Sequence, residues 1–176
     1  MKNIFFFFLF AGFLTLALPA LSQKPAKFIS VGFGVEGGIP VGDMNNTFEG
    51  GLGLTARFSI HAGPGFATLT AGGIPFVSQN VENNDLKTGV QIPVKAGYKY
   101  MILPHLFIMG ELGYSDFKNF YEDQNNHVTV NSYGGFTYAP SVGVNLGVLE
   151  FAARYETVQL SGGKISYVGF RMGFNF

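Results

Sequence analysis

Seven charged side chains stand where they could do chemistry: Glu36, Arg57, Lys95, Glu111, Arg154, Glu156 and Arg171. Each lies in a stretch where polar and apolar residues alternate with the period of a β-strand, so each shares one face with its polar neighbours. Carboxylates paired with arginines and lysines inside a barrel can form an ion path or gate. They can also neutralise one another as a plug, because an unpaired ion in a tight interior is very costly. A small barrel has room for little besides side chains, which favours the plug. The other candidates are weaker. Gly32-Phe33-Gly34-Val35-Glu36-Gly37 fits G-x-G-x-x-G, but that fingerprint needs a helix after it, and the pattern here is strand-like with no helix following. His61 and His105 flank short turns and read as interfacial residues. Asp116, Glu122 and Asp123 could hold a divalent cation, yet ordinary loop solvation accounts for them, and no Cys/His metal spacing exists. These residues predict no catalytic, cofactor or metal site.

The elements that position these residues begin after a leader. Lys2 precedes an uncharged, Phe- and Leu-rich run over residues 4–18, and Ala20-Leu21-Ser22 supplies a small-x-small cleavage pattern. A signal peptide is expected over 1–22, with a mature domain over 23–176. There is no cysteine, which excludes both a lipoprotein anchor and disulfides. The formal net charge is zero, giving no electrostatic case for nucleic acid. Charged residues make up 12% of the chain, about half the usual share of a soluble domain. They stand beside 25 glycines and 16% aromatics, an odd surface for water.

Eight alternating segments follow, over 28–39, 50–61, 66–76, 89–100, 105–115, 132–146, 149–159 and 164–176. Most have the length of a tilted strand that crosses a bilayer. The third is the weakest: its alternation slips at Gly72-Gly73, suggesting a bulge, and Pro75 is awkward in a central strand. Connections alternate between tight turns (62–65, 101–104, 147–148) and long polar ones (41–49, 77–88, 116–131), with a short final one at 160–163. An even number of strands, with short turns at one end and polar loops at the other, predicts an all-β, eight-stranded antiparallel up-and-down transmembrane β-barrel.

One face of the segments is apolar: Val31, Phe33 and Val35; Leu52, Leu54 and Phe58; Leu112 and Tyr114; Phe170, Met172 and Phe174. The mid-strand charges, Lys99 among them, fall on the other face, interleaved with glycines such as Gly34, Gly97, Gly113, Gly169 and Gly173. A water-facing strand would hold β-branched or charged residues there rather than glycine. In a narrow lumen, small residues make room for long Arg, Lys and Glu side chains. The charge-free apolar face then meets lipid, where Arg or Lys at mid-depth costs about 2–4 kcal/mol.

Phe170, Met172, Phe174 and Phe176 alternate up to a final aromatic residue. With Gly37-Gly38-Ile39-Pro40-Val41-Gly42-Asp43, Gln91-Ile92-Pro93-Val94-Lys95-Ala96-Gly97-Tyr98, Tyr138-Ala139-Pro140-Ser141-Val142-Gly143 and Ala153-Arg154-Tyr155-Glu156, the mature chain resembles small single-domain outer-membrane β-barrel proteins related to the OmpA/OmpX type. The resemblance implies outer-membrane lipid around the barrel and an aromatic-ended last strand read by the barrel-assembly machinery. It carries no shared catalytic residues. The family's assembly signal often has glycine five places before the end, where this chain has Arg171. The expected role is structural or surface-interacting. Two alternatives are passive passage of small or apolar molecules, through the lumen or a lateral opening by the third strand, and a lipid-modifying enzyme. Some outer-membrane enzymes of the latter kind carry His-x-Ser, against His127-Val128-Thr129 here.

Overall fold

In the computed structural model, which describes residues 28–46, 48–78, 88–122 and 128–176, the alternating segments become eight strands. They are β1 (Ile29–Val41), β2 (Phe48–Ala62), β3 (Gly65–Ser78), β4 (Thr88–Met101), β5 (Leu106–Glu122), β6 (Val128–Leu146), β7 (Leu149–Leu160) and β8 (Gly163–Asn175). Each pairs antiparallel with the next, and β8 pairs back onto β1, so the sheet closes as an up-and-down barrel. Among the described residues the only helical element is a 3-10 turn, Gly42–Asn46. It follows the glycine-rich stretch of β1, so that stretch opens no α-helix.

The register sets the shape. From Val31, cross-strand partners run through Phe58, Leu69, Ala96, Leu112, Tyr138, Thr157 and Ser166 back to β1 at Val41, ten residues beyond the start. A stagger of that size over eight strands tilts them by roughly 40° and gives a backbone radius of roughly 8 Å. Such an interior holds side chains and little else.

Two turns are tight because a glycine takes a left-handed backbone: Gly63 at φ 59° and Gly147 at φ 67°. Opposite them, the third connection is shorter than the sequence suggests. β5 and β6 stay paired out to Glu122 and Val128, leaving 123–127 rather than 116–131 as the connection. Asp116, Lys118, Asn119, Asn131 and Ser132 mask this extension in the sequence, since ladder hydrogen bonds do not depend on an apolar face. His127 lies outside the described residues, as does the leader.

The bulge expected at Gly72-Gly73 is absent. The register of β3 is the same on both sides of that pair, against β2 and against β4, and the shift in the β2–β3 ladder falls between Phe48 and Gly50. The hydrophobic pattern slips there because Ile74 and Phe76 point inward and are buried. They belong to an apolar cluster with Met44, Phe48, Phe117 and Tyr167 that fills the barrel at its long-connection end. Its rings meet edge-on or tilted, at 5.6 Å for Phe48–Phe117 and 5.3 Å for Phe76–Tyr167.

The opposite face looks outward. Phe33 is 61% exposed, Leu54 69%, Leu112 58% and Phe170 51%. The outward surface of the mid-strand region is therefore apolar, and the interior polar, the reverse of a water-soluble domain.

Candidate functional site

The interior below the aromatic cluster is built from charge. Glu36, Arg57, Lys95, Glu111, Arg154, Glu156 and Arg171 are all buried there. Pleating alone aims them inward, since they alternate with the outward apolar residues on β1, β2, β4, β5, β7 and β8. Glycines make the space: a Cβ on Gly34 would lie 2.8 Å from the Arg171 guanidinium carbon, and one on Gly173 would lie 2.2 Å from its Nη1.

These seven residues and Glu150 form a closed circuit of alternating sign. Arg57 Nη1 donates to Glu150 Oε1 at 2.5 Å, and Arg57 Nη2 lies 3.5 Å from Glu111 Oε1. Glu111 Oε2 is 3.9 Å from Lys95 Nζ, which donates to Glu156 Oε2 at 2.5 Å. Arg154 Nε is 3.0 Å from Glu156 Oε2, and Arg154 Nη2 pairs with Glu36. Arg171 then closes the circuit, with Nε 3.4 Å from Glu36 Oε1 and Nη1 donating to Glu150 Oε1 at 2.9 Å.

The two strands without a charged member contribute hydroxyls. Thr70 of β3 accepts from Arg57 Nε at 3.0 Å and donates to Glu111 at 2.6 Å. Thr137 of β6 donates to the Thr157 carbonyl at 3.2 Å. Gln91 Nε2 donates to Glu156 at 2.7 Å, and Arg154 Nη2 donates to the Tyr167 hydroxyl at 3.2 Å. Tyr167 thus joins the charged half of the interior to the aromatic half. Lys99 is a ninth charge, paired with Glu150 and set 4.4 Å from the Phe107 ring centroid. Five cations therefore face four carboxylates.

Glu150 is not singled out by the sequence, although it touches Arg57, Lys99 and Arg171. It sits one residue into β7, beside the Gly147-Val148 turn, where a carboxylate reads as turn solvation. Its parity with Arg154 and Glu156 is the signal that finds it.

Phe170, Met172 and Phe174 point outward from β8, and the ladder continues past it: Val31 N donates to Phe176 O at 3.1 Å, and Phe176 N to Val31 O at 2.8 Å. Asp116 accepts from Ser132 at 2.5 Å and has Lys118 at 3.9 Å, an exposed pairing at the long-connection end. His61 packs edge-on against Phe66, and His105 Nδ1 is 3.2 Å from the Asn145 carbonyl. Among the described residues, neither of these histidines meets a carboxylate. No group of three or more potential metal ligands occurs among the described residues.

Eight antiparallel strands, a ten-residue stagger, an outward apolar belt and a charged interior define the fold of the small outer-membrane β-barrels. Ail, the attachment invasion locus protein of Yersinia pestis, solved with the heparin analogue sucrose octasulfate, is similar with a TM-score of 0.62 and 17% identity, over 84% of this chain and 97% of that one. Neisserial surface protein A is similar with a TM-score of 0.57 and 9% identity, over 86% of this chain and 98% of that one. At these identities the likeness is one of fold. No family model matches the sequence, and no curated protein matches it.

Proposed function

We propose that the chain is an integral outer-membrane protein whose lumen is sealed by side chains and whose role is structural or surface-interacting, carried by its long-connection end. The observation that carries this reading is the closed circuit from Glu36 to Arg171, stacked beneath the Phe48–Phe76–Phe117 cluster. Two successive layers of buried side chains, one charged and one aromatic, support a filled lumen. Purified protein in planar bilayers should show no single-channel steps; regular steps would sink the sealed reading.

Export follows from the leader at 1–22, which leaves the 23–176 domain with its short turns on the periplasmic side. Phe170, Met172, Phe174 and Phe176 are the edge that we assign to recognition by the barrel-assembly machinery, because Phe176 still pairs with Val31 at the seam where the barrel closes. Deleting Phe176 should reduce the folded, heat-modifiable fraction in the outer membrane several-fold. An unchanged fraction would remove this assignment.

Ail was solved with a heparin analogue, a highly sulfated sugar. The long-connection end of this chain favours a different partner. Asp43, Glu49, Glu82, Asp85, Asp116, Glu122 and Asp123 there outnumber Lys87, Lys118 and Lys164, a balance that repels polyanions. The second reading, passage of small or apolar molecules beside β3, draws on an interrupted ladder: partners are missing for Ile74 and Pro75 on β2 and for Gly72 and Gly73 on β4. Close apposition weakens it, since a Cβ on Gly53 would lie 2.2 Å from the Gly73 carbonyl oxygen.

A further inference from the structure

The outward charges of the described residues are all at one end. Among the described residues, Asp43, Glu49, Asp116, Lys118 and Lys164 lie at the long-connection end, and no charged side chain projects outward at the short-turn end. The two charges nearest that end, Lys99 and Glu150, are turned into the lumen and paired with each other. The turns themselves are apolar and open. Ile102 is 48% exposed, Leu103 58% and Val148 46%, and Pro64 and Pro104 are exposed beside them.

Distance along the barrel explains what these turns meet. On β5 the last outward polar residue is Asp116, ten positions from Leu106 at the turn. On β7 it is Gln159, ten positions from Leu149, and on β8 Lys164, ten from Phe174; the hydroxyls of Thr157 and Ser166, nearer the turns, are buried and bonded to each other at 2.9 Å. Ten residues at about 3.3 Å each, tilted by roughly 40°, rise about 25 Å, the height of the apolar band of an outer-membrane barrel. The hydrocarbon layer is therefore used up where the strands end, and the turns fall immediately past it.

We infer that the short-turn end does not project into the periplasm but is seated in the headgroup layer of the inner leaflet, with Ile102, Leu103 and Val148 inserted among phospholipids. This rests on the outer-membrane reading. Phospholipid rather than a protein is the occupant because the turns extend the apolar lipid-facing belt, with the exposed His61 and His105 beside them placed as interfacial residues. Turns of two to four residues also build no concavity that a protein could fill. Apolar side chains at the boundary between headgroup and acyl chain gain by burial there.

The chain contains no tryptophan, so a single one reports its own surroundings. Leu103→Trp, Val148→Trp and Leu112→Trp are each placed in the full mature chain, reconstituted in phosphatidylcholine vesicles, and checked for heat-modifiable migration. Leu112→Trp, in mid-belt, should be quenched by acyl-brominated lipid; if it is not, the membrane reading itself fails. Leu103→Trp and Val148→Trp should be quenched at least half as strongly by lipid brominated near the glycerol, and be shielded from aqueous iodide. Full iodide quenching with no lipid quenching would overturn the inference while leaving the membrane reading intact. Shielding from both quenchers would overturn it in favour of a protein contact.

Discussion

Glu150→Ala should lower the barrel's unfolding free energy by about 3–5 kcal/mol, the usual loss when one partner of a buried ion pair is removed. The effect comes from what is left behind. Arg57 retains Glu111 and Arg171 retains Glu36, but Lys99 loses the carboxylate it is paired with. Five cations would then face three carboxylates among buried side chains. Glu111→Ala should cost less, because Arg57 keeps Glu150 and Lys95 keeps Glu156. Urea midpoints in detergent, read by the gel shift between unboiled and boiled samples, give the ranking. Adding Lys99→Met to Glu150→Ala should recover part of the loss. Equal losses for the two glutamates, or no recovery, would argue that the circuit does not act as a connected unit.

Leu112→Arg tests the other face. Leu112 is 58% exposed, and on a water-soluble protein a substitution at such a site shifts stability by no more than about 0.5 kcal/mol. In a membrane it places a guanidinium near mid-depth and should cost about 2–4 kcal/mol. Gln159→Arg, at the outer rim, should cost about 0–1 kcal/mol, since the penalty fades toward the interface. Refolding yields in lipid vesicles should therefore fall steeply for Leu112→Arg and little for Gln159→Arg. Matching yields would mean that the belt faces something other than hydrocarbon.

The fold was legible because a closed barrel repeats a single rule. With period-two alternation, one correct assignment, such as Leu52 and Leu54 outward, fixes the direction of every other residue in its strand. The same rule carries Glu36, Arg57 and Lys95 inward without any knowledge of their partners. What parity cannot supply is who meets whom across the lumen. The contact between Arg57 and Glu150 joins residues 93 apart in sequence, and it follows from the ten-residue stagger, which no local pattern encodes. The aromatic cluster was hidden for another reason. Ile74, Phe76 and Phe117 are apolar residues on the polar face, and an alternation read from hydrophobicity registers them as errors in phase. Beyond the apolar belt, β5 and β6 mix polar and apolar residues on both faces, so their pairing out to Glu122 and Val128 shows no regular alternation in the sequence.

The seam between β1 and β8 has a consequence for the order of events during biogenesis. Glu36 is on β1, Arg171 on β8, and each is a link in the circuit across that seam. An open sheet would hold Glu36 at one edge without Arg171, and Arg171 at the other with Glu150 of the neighbouring β7 alone. Closure by β8 therefore supplies at once backbone partners for β1 and a counter-charge for Glu36. Insertion short of closure is unstable on two separate counts, so a half-built barrel has every reason to remain with whatever holds its edges apart until both can be joined together.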